Sequence, residues 1–361
     1  MKDLEEYFNK INYSTILTTG RTGSDYLQGC LDNVPGVVTF SGKIFYYRFC
    51  DQFKLNNFEK CNSIEILELF IKNNIHLFTS EEIENKNIDI DIKKFKDNFN
   101  LLCKEKLITR QKFLLALYLS YHLTIGRDID DIKILVHHSH HVDETKRFLE
   151  DFKNSKLLIT IRDPRANLKS GIVNWIKYDQ KRDNQEHFYI YIKRIREDLN
   201  YTMRIKNEKF YIKLEEAGEI ETKKKILNFL GIGFSEEIRR ATFAGKEWKG
   251  DKLSNFSSSK GQYFDGVKNN KWQDFFTKKD KIILNFIYNK YKFFGYDIKK
   301  TSFKEYFFIF FLIPFPFIFD KRFFSLNYFL KKNKNFKEKI KEIIFYMKRI
   351  VYFYKLYFKL G

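Results

Sequence analysis

The chain has 361 residues, of which 43% are hydrophobic and 18% aromatic; it can bury a sizeable core, and global disorder is excluded. Its formal charge of +20 asks for an anionic partner: nucleic acid, an anionic membrane surface or a phosphorylated nucleotide. Cys30, Cys50, Cys61 and Cys103 show neither CxxC spacing nor the density of a disulfide framework, which suits a reducing compartment.

The start, Met1-Lys2-Asp3-Leu4-Glu5-Glu6, is acidic and amphipathic, without the apolar stretch of a signal peptide. Residues 1–13 read as a short helix leading into a first strand, Ser14-Thr15-Ile16-Leu17. The polar turn Gly20-Arg21-Thr22-Gly23-Ser24 follows, and a helix opens at Ser24-Asp25. Strand, glycine turn and helix N-terminus together gather backbone N–H groups around an anion. Gly20 and Gly23 allow close approach to a phosphate, Thr22 and Ser24 add hydroxyls, and Arg21 adds a cation. The Gly-Lys-Ser/Thr of a Walker A loop is absent.

Val37-Val38-Thr39-Phe40 is a second short strand, and residues 43–125 are mainly helical, interrupted by a polar, exposed insertion over 80–98. Ile132 to Val136 reads as a third strand, ending in His137-His138-Ser139-His140-His141. A helix over about 142–152 leads to a further strand, Lys156 to Ile161, completing a β-α-β alternation that argues for a parallel sheet. Arg162-Asp163-Pro164 opens the next helix with proline at its first turn, and Ser170 lies two turns after Arg162. Residues 185–206 are helical, Phe210 to Leu214 is a strand, helices cover 219–230 and 278–293, and residues 246–271 form a polar loop.

The two motifs, about 140 residues apart, resemble the nucleotide-binding signature of PAPS-dependent sulfotransferases. The resemblance covers about residues 12–297 and implies an α/β fold, a mostly parallel sheet flanked by helices, with a helical aromatic and basic C-terminal tail. It divides the chain into a sulfotransferase domain over 1–300 and an extension over 301–361. It implies that Gly20, Arg21, Thr22, Gly23 and Ser24 hold the 5′-phosphosulfate of PAPS (3′-phosphoadenosine 5′-phosphosulfate), with Asp25 completing the family's cofactor-binding loop in sequence. Arg162 and Ser170 correspond to the pair that holds the 3′-phosphate, and Lys260-Gly261 to the basic-glycine pair that closes over it. Arg21 stands where the family's lysine neutralises the bridging oxygen as sulfate leaves. Asp25 departs from the family, which has a hydroxyl residue there; a carboxylate in an anion loop must point away or bind the acceptor. No metal is required by this reading.

Sulfuryl transfer to a hydroxyl needs a base for the acceptor proton, which a neutral imidazole supplies near pH 7. Counting back about 22 residues from Arg162, the family's spacing, reaches His140, with His138 second if the register slips. A glutamate base of other family branches has no counterpart in Phe40-Ser41-Gly42-Lys43. A carbohydrate or glycolipid acceptor and a bacterial source, from the Lys/Asn/Ile/Phe-rich usage, are expected by analogy. A P-loop-type phosphotransferase and a non-enzymatic basic membrane-binding protein are the alternatives.

Residues 301–361 hold 13 Lys and Arg against 4 Asp and Glu, with 21 of the 65 aromatic residues. Tyr306 to Phe319 is too short to span a bilayer and is broken by Pro314 and Pro316. It either packs against the rest of the protein or, with the basic and aromatic residues after it, lies on an anionic membrane. Nucleic acid is not expected, because such an apolar stretch contributes little to a phosphate groove. The expected location is cytoplasmic, peripheral on the inner face of the cytoplasmic membrane.

Overall fold

Five short, apolar strands make the central sheet: β1 (Asn12–Thr18), β2 (Val37–Val38), β3 (Ile134–His138), β4 (Lys156–Ile161) and β5 (Lys209–Lys213). Their order is β2-β3-β1-β4-β5, and every neighbouring pair is parallel. Strands covered on both faces need continuous apolar runs rather than alternation, and Ile16, Leu17, Leu135, Val136, Leu158 and Ile159 are all fully buried. A separate antiparallel ribbon pairs β6 (Thr242–Phe243) with β7 (Lys246–Glu247).

The helices, in chain order, are α1 (Leu4–Lys10), α2 (Ser24–Asp32), α3 (Tyr46–Gln52), α4 (Ser63–Asn73), α5 (Ile92–Leu102), α6 (Arg110–Thr124) and α7 (Val142–Asp151). They continue as α8 (Pro164–Tyr178), α9 (Gln185–Arg204), α10 (Ile220–Leu230), α11 (Lys278–Ile287), α12 (Phe303–Leu312) and α13 (Phe336–Leu360). The computed structural model describes residues 3–55, 58–79, 89–104, 107–248, 250, 263, 272–324 and 336–360. They fall into two units: residues 1–161 with 204–268, and residues 162–203 with 269–361.

The first unit contains the sheet. Successive strand residues point to opposite faces, and β3 shows what covers each. His137 stacks on Phe148 of α7 with ring centroids 5.1 Å apart, and its Nδ1 meets the Tyr118 hydroxyl of α6 at 2.9 Å. His138 meets Gln28 of α2. The sheet is therefore covered on both faces, as the expected architecture requires. The connections leave β1 and β3 toward opposite faces, α2 to one and α7 to the other. That is the topological switch point at which parallel sheets open a crevice beyond the strand ends.

Two sequence expectations shift. β3 runs on to His138, so two histidines lie inside the strand rather than after it. The polar insertion drawn over 80–98 contains the start of α5, which Asp91 caps and whose Phe95 and Phe99 are fully buried.

The second unit is helical. Gly171 of α8 lets α9 approach closely, since a Cβ there would lie 2.6 Å from Tyr191 Cε1. The Tyr191 hydroxyl donates to Asn167 Oδ1 at 2.5 Å. The C-terminal segment belongs to this unit: Arg349 of α13 forms a buried ion pair with Asp320, which also accepts from Gln185 Nε2 at 2.9 Å. Ile309, Ile313 and Phe317 are buried, whereas Phe303, Phe307, Phe308 and Phe311 are exposed, so α12 packs one face only.

Candidate active site

The first unit presents its polar residues at the C-terminal ends of β1 and β3. The turn after β1 holds Gly20 at φ 83°, Arg21 at 43° and Gly23 at 79°. Left-handed residues among right-handed ones turn successive N–H groups to one side, which makes an anion cradle at the start of α2. Arg21 is the costly member, because a Cβ is disfavoured at positive φ. Thr22 braces the turn: its hydroxyl lies 2.5 Å from that of Thr18 and 2.7 Å from that of Thr160, tying the loop to β1 and β4. The Gly20 N–H donates to Thr18 Oγ1 at 3.0 Å. Ser24 is the buried first residue of α2.

Gly23 has a second constraint besides its φ, for a Cβ would sit 2.4 Å from Leu214 Cδ1. Gly23→Ala should cost about 1–2 kcal/mol from the left-handed backbone alone. By displacing the loop it should also weaken binding of a phosphate-bearing ligand in the cradle about tenfold or more, one lost charge-assisted hydrogen bond being enough. Urea unfolding and calorimetry with 3′,5′-ADP measure the two effects, and an unchanged affinity would contradict the cradle.

Asp25 lies in the first turn of α2 with Lys43 Nζ 3.1 Å from its Oδ2 and His138 Nδ1 3.8 Å from its Oδ1. An ammonium thus faces the carboxylate that is out of place in an anion loop. Gln28, one helical turn further, donates through Nε2 to the carbonyls of Phe40 and Gly42 at 2.9 and 3.1 Å. These two carbonyls fix the amide so that Oε1 faces His138 Nδ1 at 2.7 Å. An acceptor there requires Nδ1 to carry the proton, leaving Nε2 as the basic atom of His138.

The histidines divide by environment. His137 is core: burial pulls its imidazole down to about 3, so it stays neutral. His138 is fully buried. His140 is half-buried, beyond the strand, at φ 58°. Its N–H reaches Ile16 O at 3.3 Å, and its ring lies edge-on to His138 at 5.5 Å and to Phe45 at 6.1 Å. The Ser139 hydroxyl between them lies 2.6 Å from that of Thr15 on β1. The turn after β3 is therefore anchored to β1, which orients His140. Among the described residues no group of three or more His, Cys, Asp or Glu side chains is placed to hold a metal ion.

In the second unit Arg162, which follows β4 in the chain, is buried, and Ser170 is half-buried on α8. Asp163 caps α8 by accepting from the Arg165 N–H at 2.9 Å. It also takes the Arg165 guanidinium as a fork, Nε at 3.0 Å and Nη2 at 2.7 Å. Arg165 is held again by Asn285 Oδ1 at 2.9 Å and stacks 3.9 Å from the Trp272 ring centroid. Arg165 is thus engaged in holding the helix start. Burial pulls the Lys169 ammonium below the ordinary lysine range; Asp274 raises it and Arg162 lowers it again. Lys169 thus lies within electrostatic reach of both the Asp274 carboxylate and the Arg162 guanidinium.

Lys260 and Gly261 lie outside the described residues. Gln28, Lys43 and Lys169 were not singled out from the sequence. Gln28 shares a helix side with Ser24, four residues earlier, and Lys169 adjoins Ser170; both spacings were available as signals.

No family model matches the sequence, and no curated protein matches it. Solved structures do. The chain is similar in structure to sulfotransferases. The sulfotransferase domain from the curacin biosynthetic pathway is 14% identical, with 80% of this chain and 99% of that one covered, at a TM-score of 0.48. The sulfotransferase domain of the Synechococcus olefin synthase is 15% identical, with 80% and 97% covered, at 0.44. Retinol dehydratase, solved with androsterone and the inactive cofactor PAP, is 12% identical, with 82% and 85% covered, at 0.32.

Proposed function

We propose that this protein is a PAPS-dependent sulfotransferase acting on a hydroxyl or amine of an acceptor, a carbohydrate or glycolipid. The observation that carries the reading is the left-handed turn Gly20-Arg21-Thr22-Gly23 at the start of α2, with an accessible histidine at the end of the neighbouring strand. An anion cradle beside a base is what transfer of an anionic group to a protonated acceptor needs.

In this reading the backbone N–H groups of residues 20–24 and the Arg21 guanidinium hold the 5′-phosphosulfate, while Arg162, Ser170 and Lys169 hold the 3′-phosphate. When bound, PAPS supplies the sulfuryl group. His140 takes the proton from the acceptor at its imidazole, and access favours it over His138, which is fully buried. Arg21 would supply a fixed cation to the oxygen on which charge accumulates as the sulfuryl group leaves, which lowers the barrier directly. Lys43 offsets the negative charge that Asp25 brings to this loop.

Incubation with sulfur-labelled PAPS and a panel of glycans and glycolipids tests the proposal. Labelled acceptor and 3′,5′-ADP should accumulate together. Transfer from γ-labelled ATP, with none from PAPS, would assign the chain to phosphotransferases instead.

A further inference from the structure

The second unit carries an apolar surface that its own packing leaves uncovered. Phe303 is 88% exposed, and Phe307, Phe308 and Phe311 beside it on α12 are exposed as well. With 3.6 residues per turn, Ile340, Ile344, Met347, Val351 and Phe358 share one side of α13, and all five are exposed. A different side, bearing Tyr346, Ile350 and Phe353, is buried. The two exposed faces are continuous: Phe310 lies 5.4 Å from Phe311 and 6.4 Å from Phe358, measured between ring centroids. Isolated surface phenylalanines need no explanation, but a joined patch of this extent marks a contact surface.

Charge identifies what the surface meets. Lys337, Lys348, Lys355 and Lys359 are exposed, and their spacing sets them along one edge of the apolar stripe on α13. An apolar stripe flanked by lysines matches the boundary between acyl chains and anionic headgroups, where the aliphatic stems stay in the apolar layer and the ammoniums reach phosphate. A second copy of the chain on the same face would oppose like charges. α12, at about 1.5 Å per residue, extends about 15 Å, half the hydrocarbon thickness. No helix among the described residues is long and apolar enough to cross a membrane.

We propose that the exposed face of α12 and α13 docks on an anionic bilayer, lying in the headgroup region without crossing it. The site does not depend on the catalytic assignment. The full-length protein should sediment with vesicles of phosphatidylcholine and phosphatidylglycerol but not with phosphatidylcholine alone. Binding should weaken as salt shortens the reach of the lysine charges. The double variant Phe307→Glu/Phe311→Glu should bind the mixed vesicles at least tenfold more weakly with an unchanged melting temperature, because both rings are exposed. Lys348→Glu/Lys355→Glu should lose the preference for anionic lipid. No binding by the intact protein, or equal binding by the phenylalanine variant, would overturn the proposal. A dimer in sedimentation velocity that the phenylalanine variant dissociates, without vesicle binding, would assign the face to self-association instead.

Discussion

Arg162→Ala should weaken binding of 3′,5′-ADP by about 30- to 1000-fold while changing 5′-AMP binding little. A charge-assisted hydrogen-bonded contact to a phosphate contributes roughly 2–4 kcal/mol, which sets that range. The guanidinium is buried, so its charge acts in a poorly screened setting, and Lys169 is close enough for each cation to affect the other. Removing Arg162 should leave the 3′-phosphate to Ser170 and Lys169, and Arg162→Lys, which keeps charge without the fork, should fall between. Because 5′-AMP lacks the 3′-phosphate, it controls for any general loosening of the fold. Calorimetry with both nucleotides reads the difference directly; equal losses would remove the 3′-phosphate assignment.

The second large effect is expected at His140. His140→Asn should lower turnover about 100-fold or more with nucleotide affinity within about twofold of normal, the effect of removing a general base. Asparagine suits this position because it tolerates the left-handed backbone that His140 adopts at φ 58°, so the loop should keep its path. A merely structural histidine would move the melting temperature and leave turnover per folded molecule unchanged. His138→Asn should behave differently: it disturbs a fully buried hydrogen bond to Gln28, and about 1–3 kcal/mol of stability should go with it. If turnover collapses in the His138 variant and survives in the His140 variant, the base is His138.

The strand–turn–helix at residues 14–31 was legible because its geometry demands glycine at left-handed positions and polar residues at a helix start. The end of β3 was not. His137 and His138 have no apolar signature, and what makes them strand residues is tertiary: Tyr118 and Phe148 on one face, Gln28 on the other. α5 was hidden by composition. Lys93, Lys94, Lys96 and Asp97 dominate its sequence, while the Phe95–Phe99 pair, one turn apart, carries the burial. Asp25 was marked as out of place from the loop sequence, yet its partner Lys43 lies 18 residues on and could only be found in space. The tail was legible in chemistry and not in packing. Its aromatic and basic content was plain, but no local pattern joins Asp320 to Gln185 and Arg349, which secure one face of the segment and leave the other exposed.

Titration of the full-length protein with 3′,5′-ADP, 5′-AMP and ATP by calorimetry tests the central claim most directly. Binding of 3′,5′-ADP at least about tenfold tighter than either other nucleotide is the predicted result, since one charge-assisted phosphate contact already accounts for that ratio. Failure to bind 3′,5′-ADP, or binding no tighter than 5′-AMP, would contradict it.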